Sequence, residues 1–209
     1  MIEALIILAV ILIAVILHEL MHGVVAYWLG DNTAKEQGRL TLNPIKHIDP
    51  YMSIVVPLLL YLIKAPIFGG AKPVPIDTRN LRYGVWGMAL VSIAGPLTNF
   101  LLALISFLVG HFTGWIYDEG MLGYFWVEMV MVNIGFMVFN LIPIPPLDGS
   151  RVLYAIAPDG VRRAMMWIEG FGVIVIYLLI LVLGQVFSQI MGGAMEGVLR
   201  FFYLLVGAL

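Results

Sequence analysis

The chain has 209 residues, of which 62% are hydrophobic and 11% charged, and its formal charge is −2. A soluble domain carries about 25% charged and 45–50% apolar residues, so the composition excludes a water-soluble globule, and the absence of basic excess gives no footing for nucleic acid. With no cysteine, disulfides and thiolate metal sites are excluded as well.

The first apolar run covers residues 3–29. Its start, "MIEALIILAVILIAVILHEL", has neither a basic leader nor a small-residue cleavage site, which predicts a retained helix, not a signal peptide. The polar stretch 30–50 follows, with Lys35, Arg39 and Lys46. Within it "GRLTLN" (38–43) alternates and predicts a short strand. "YMSIVVPLLLYLI" (51–63) is too short for an ordinary span of roughly 20 residues, and Pro57 interrupts it, so a re-entrant or tilted helix is expected. The stretch 69–82 is polar again, with Lys72, Arg79 and Arg82. Its "KPVPID" (72–77) predicts an extended segment that sits at an edge, because Pro73 and Pro75 cannot donate to a ladder. Further apolar runs cover 85–110, 121–142 and 165–190, with a shorter tail at 194–208.

The expected fold is an all-α polytopic membrane protein with five to six membrane segments. A short membrane-associated β-hairpin or edge strand is expected between the first helix and the next long span. Residues 1–209 are expected to form a single domain, with a catalytic core over about 3–155 and C-terminal helices over about 164–209. Short basic loops stay in the cytoplasm, and the loop near 111–120 carries Asp118 and Glu119 but no Lys or Arg. The first helix is therefore expected to run from outside to inside. Both basic stretches, and the segment with Arg151, Arg162 and Arg163, then share the cytoplasmic side.

The first apolar run contains "HELMH". On a helix, positions i and i+4 share a face, so His18 and His22 can bind one metal while Glu19 reaches its water, the H-E-x-x-H arrangement. Ionisable groups at membrane depth cost roughly 2.5–3.5 kcal/mol each, which a packing role for these three residues does not repay. A catalytic zinc takes three protein ligands. Of the remaining candidates, His47 and His111 sit in polar flanks and read as surface residues, and Glu128, Glu169 and Glu196 are each isolated. Asp148 lies in "FNLIPIPPLDGSRV", where Pro143, Pro145 and Pro146 break the helix. Broken backbone at membrane depth is tolerated where it lines a cavity, and Gly149 allows a close turn. An ordinary proline-rich turn at the membrane edge is the alternative. With two neutral histidines, Zn²⁺, Asp148 and Glu19 sum to zero charge.

"HELMH", "AGPLTN" (94–99) and "NLIPIPPLDG" (140–149), together with "GRLTLNP" and "GGAKPVPI", resemble the site-2 protease family of intramembrane zinc metalloproteases, in its short form without a PDZ-like insertion. The resemblance covers about residues 10–155. It implies His18, His22 and Asp148 as ligands of one Zn²⁺ per chain and Glu19 as general base. It further implies Asn140 as a catalytic residue that holds substrate or the oxyanion, and Asn99 as a packing or site-supporting amide. It implies an active site within the bilayer toward the cytoplasm, with a transmembrane protein as substrate and the lipid bilayer as surroundings. "GRLTLN" is then a candidate strand for holding extended substrate. Two rivals are a two-His-one-carboxylate iron site and a non-proteolytic intramembrane metal-binding scaffold or transporter. An adjacent Glu serves hydrolysis better than oxygen chemistry, and a binder needs no base.

Overall fold

The computed structural model describes residues 1–62, 64 and 70–207. Its helices are α1 (Ile2–Trp28), α2 (Thr33–Glu36), α3 (Val56–Leu62), α4 (Val85–Thr113), α5 (Met121–Asn140), α6 (Asp148–Ile156), α7 (Asp159–Glu169) and α8 (Val173–Leu205). Of these, α1, α4, α5 and α8 are long and apolar enough to cross a membrane. Among the described residues, four such spans replace the five to six membrane segments expected. Residues 165–169 belong to α7, and Gly172 at φ +58 separates it from α8. The expected separate tail at 194–208 is, over 194–205, the end of α8, which kinks at Leu183 and runs on past Gly184, Gly192 and Gly193; residue 208 lies outside the described residues.

The β-hairpin or edge strand is not there: no strand occurs among the described residues. "GRLTLN" curls instead of extending. Arg39 N–H bonds Ala34 O and Thr41 N–H bonds Arg39 O, while the Asn43 side chain caps a 3₁₀ turn at Pro44–His47. Short-range bonds to side chains and near neighbours have outcompeted a ladder, and the strand role in holding substrate loses its basis. "KPVPID" is free of helix and turn but is not a strand: Lys72 N–H bonds His47 O, and its other paired donors go to α1 and its flank. Val74 N–H bonds Glu19 and Asp77 N–H bonds Asp31. Over 51–63 the chain makes a π-helical turn, Pro50–Val55, and then α3; residue 63 lies outside the described residues. Thirteen helical residues reach about 20 Å, short of a bilayer core of about 30 Å.

The helix α4 is the centre of the bundle, packed against α1, α5 and α6. Phe107 and Ala103 of α4, Val130 and Ile134 of α5 and Phe202 of α8 form the main buried cluster. The opposite faces carry exposed Leu5, Leu8, Leu97, Leu101, Leu178 and Leu181, which suits helices bathed in lipid.

The end of α1 is tied down by Asp31, which is fully buried. It accepts from Thr33 N–H and Oγ1, from Asp77 N–H at 2.8 Å and from the Asn80 amide at 3.2 Å. Burial by itself raises the carboxyl pKa, but these donors outweigh it and hold the group below the usual carboxylate value. Its stabilising effect is therefore complete above the unfolded pKa of about 4 and is lost as pH falls through the lower folded value. Asp31→Ala strands several donors, so it should cost about 1–3 kcal/mol at pH 7. Thermal unfolding in detergent checks this, and the gap from wild type should close on acidification below pH 4.

Candidate metal centre and active site

His18 and His22 lie one turn apart on α1 and are both buried, at 6% and 7% exposure. Asp148 begins α6, just after the proline-rich break, and its side chain is 21% exposed. The structure brings the three together. His18 Nε2 and His22 Nε2 are 3.0 Å apart, and Asp148 Oδ2 is 3.1 Å from the first and 3.3 Å from the second. Among the described residues this is the one His, Cys, Asp and Glu group with metal-ligand spacing. His18 lies ten residues before the end of α1 at Trp28, about 15 Å at a rise of about 1.5 Å per residue.

The fit to a cation can be tested from the protons. His22 Nδ1–H donates to Val91 O at 2.7 Å, and His18 Nδ1–H donates to Asn99 Oδ1 at 2.6 Å. In a neutral imidazole with hydrogen on Nδ1, Nε2 bears only a lone pair. Two such nitrogens and the Asp148 Oδ2, itself buried without a hydrogen-bond donor, thus face one another as three acceptors. A shared cation resolves that arrangement. Zinc with bonds of about 2.0–2.1 Å in a tetrahedron sets its ligand atoms about 3.4 Å apart, near the spacing found.

The helix α4, in and just before its "AGPLTN" motif, makes this possible in three ways. Gly95 faces the histidines so closely that a Cβ there would lie 2.5 Å from His22 Nε2 and 2.6 Å from His18 Nε2. Val91, one turn before Gly95 on the same helix, presents the carbonyl that orients His22. Asn99, fully buried, orients His18. Asn99 stands out in the sequence and Gly95 does not; its one signal is a glycine inside an apolar helix, next to proline.

Glu19 points into the same cavity of about 320 Å³ as the two histidines and Asp148. Its Oε2 accepts Val74 N–H at 2.8 Å. The Val74 segment is held in turn by buried Arg39, whose guanidinium donates to Lys72 O at 2.8 Å and Pro73 O at 3.3 Å. Asn140 ends α5 and lines this cavity, but its amide is turned to Phe136 O, one turn back in its own helix. A second, mostly apolar groove of about 600 Å³ runs between α1 and α5 past Leu8, Leu12 and Phe136, and meets the first at His18, Glu19 and Asn140.

The remaining candidates stand apart. His47 is buried, not on the surface, and bonds Thr41 O; His111 bonds the Tyr117 hydroxyl. Glu169 pairs with Arg151, and Glu196 with Arg200. Asn133 of α5, unremarked in the sequence, is fully buried behind Asn99.

Residues 113–183 match Peptidase family M50. YwhC of Bacillus subtilis, whose name assigns it to the zinc metalloproteases, is 42% identical over 172 residues, covering 78% of this chain and 74% of that protein. Rip2 of Mycolicibacterium smegmatis, similarly named, is 30% identical over 174 residues, covering 81% of this chain and 64% of that protein. MJ0611 of Methanocaldococcus jannaschii is 38% identical over 65 residues, 30% of this chain and 31% of that protein. No solved structure matches the chain. With the likeness to YwhC running through about three quarters of both sequences, the chain belongs to peptidase family M50, the site-2 protease family.

Proposed function

We propose that the protein is an intramembrane zinc metalloprotease that hydrolyses peptide bonds in or near the transmembrane segments of membrane-protein substrates. The observation that carries this is the convergence of His18 Nε2, His22 Nε2 and Asp148 Oδ2 within 3.3 Å, with Glu19 in the same cavity. His18, His22 and Asp148 hold one zinc, the three-ligand set of a catalytic site. Bound there, zinc supplies a Lewis acid that lowers the pKa of water to about 7 and polarises a carbonyl.

Glu19 acts as general base. Its carboxylate takes the proton of the attacking water and later delivers it to the leaving amide nitrogen. Val74 N–H fixes the Glu19 carboxylate in place. Asn140, on the wall shared by cavity and groove, donates to the substrate carbonyl oxygen as charge develops there. The apolar groove between α1 and α5 receives an unwound substrate segment and delivers it to Glu19 and Asn140. A metal-binding scaffold or transporter gives Glu19 no proton to move, only the Val74 N–H to accept.

Residues 1–209 act as one membrane-embedded unit, with α8 packed through Phe202 onto α4 and α5. The active site faces the cytoplasm. Ten of the eleven Lys and Arg residues lie in the segments 29–84 and 141–172, at the end of the bundle nearer the site, and short basic loops stay cytoplasmic.

Zinc content and cleavage of a transmembrane peptide, measured together on protein purified in detergent, test the assignment. Glu19→Gln should keep near-stoichiometric zinc and lose about 10²–10⁴ in turnover, whereas His22→Ala should lose both. Undiminished cleavage by Glu19→Gln, or a wild type that takes up no zinc, overturns the reading.

A further inference from the structure

Behind His18 stands a chain of buried amides whose orientation is fixed by backbone groups. Met129 O can only accept, so Asn133 must turn its Nδ2 toward it, at 2.8 Å. The Asn133 Oδ1 is thereby directed at Asn99 Nδ2, 2.9 Å away. That same Nδ2 lies 3.3 Å from Ala14 O, another pure acceptor. With its nitrogen committed to two acceptors, Asn99 must present Oδ1 to His18 Nδ1, at 2.6 Å. An oxygen in that place requires a proton on Nδ1, which leaves the lone pair on Nε2, the atom that faces His22 and Asp148. Both amides are fully buried, so water cannot substitute for either.

We propose that Asn133 is a positioning residue for the metal site, acting through Asn99 to select the tautomer in which His18 offers Nε2 as a ligand. The argument rests on the zinc reading above. If Asn133 is removed, the Asn99 amide is held by Ala14 O alone and is free to turn its NH₂ to His18. A donor there favours the proton on Nε2, and that nitrogen no longer binds metal. Partners of ligating histidines commonly carry a tenfold to hundredfold share of metal affinity; here the share is set two residues away from the ring.

The test is a double-mutant cycle on zinc affinity, measured by chelator competition on the full chain in detergent. Asn133→Leu should weaken zinc binding about 10- to 100-fold and lower kcat for peptide cleavage without a matching rise in KM. In an Asn99→Asp background both side-chain oxygens accept and no amide needs orienting, so Asn133→Leu, which there removes an oxygen facing the carboxylate, should cause no loss of zinc affinity. Equal losses in both backgrounds would mean simple helix packing and overturn the proposal. Where Asn133→Leu fails to fold, ¹⁵N-histidine NMR of the zinc-loaded wild type decides. His18 should show an Nδ1–H protected from exchange, and coordination through Nδ1, or a freely exchanging Nδ1–H, overturns the proposal. A wild type that binds no zinc overturns this proposal and the metal assignment together, whereas bound zinc indifferent to Asn133 overturns this one alone.

Discussion

Gly95→Ala should empty the metal site while leaving every candidate ligand in the chain. The added methyl would sit 2.5 Å from His22 Nε2 and 2.6 Å from His18 Nε2, closer than carbon and nitrogen approach without a bond. It cannot rotate away, because a Cβ has no torsion of its own. Either the histidines swing off their partners Val91 O and Asn99 Oδ1, or α4 moves back from α1. Overpacking of this kind costs about 1–3 kcal/mol, which the bundle should survive. The site should not, since a ligand or base displaced by about 1 Å can lose 10² in rate. We expect zinc affinity at least about tenfold weaker and cleavage down about a hundredfold, with the helical signal and detergent-extracted yield near wild type. Gly160→Ala is the matched control: nothing lies within 4 Å of its added methyl. Zinc content at the wild-type level in Gly95→Ala would mean that α1 and α4 are not held together as tightly as the structure has them.

That result would also explain what a sequence can and cannot disclose about this site. His18, Glu19 and His22 are legible because helical periodicity alone puts i and i+4 on one face, and because a membrane penalises polar groups without a task. Asp148 is legible from the prolines that break the helix before it. These signals are local. Gly95 and Asn133 act across helix interfaces, and their partners are 73 and 34 positions away: Gly95 against His22, Asn133 against Asn99. An amide alone in "MVMVNIGFMVF" is a sign of an intramembrane partner, but it does not say which one. The expected strands failed for a different reason. Alternation in "GRLTLN" and extension in "KPVPID" suggest strands, and neither is one among the described residues, because a strand needs a neighbour. Here Lys72, Val74 and Asp77 N–H of the second segment are claimed by His47 O, Glu19 and Asp31. The helix boundaries of the C-terminal part were misplaced because glycine has two uses. Gly172, with positive φ, ends one element, Gly184 follows the kink at Leu183, and Gly192 and Gly193 sit inside the helix beyond it, as glycines in membrane helices often do.

Gly149→Ala should disable the site from the opposite wall. A Cβ at this position would lie 2.1 Å from Leu141 O, 2.5 Å from Leu141 C and 2.8 Å from Ile142 O. All three are backbone atoms of the turn that leads out of α5, so no side-chain rotamer can make room. The N-terminal turn of α6 must therefore retreat by about 1 Å, and Asp148, its first residue, must go with it. His18 and His22 are held from α4 and stay where they are. The outcome should accordingly resemble Asp148→Ala and not Gly95→Ala. Two ligands remain in place, zinc is held more weakly and lost to a chelator that wild type resists, and cleavage falls by about 10² or more. The comparison with Asp148→Ala is what gives the measurement its force. If the two variants have the same zinc affinity, the glycine acts by seating the carboxylate. If Gly149→Ala keeps wild-type zinc but still fails to cleave, the displaced turn matters through Asn140, which ends the helix on the far side of the same break and would then be the residue whose position limits turnover.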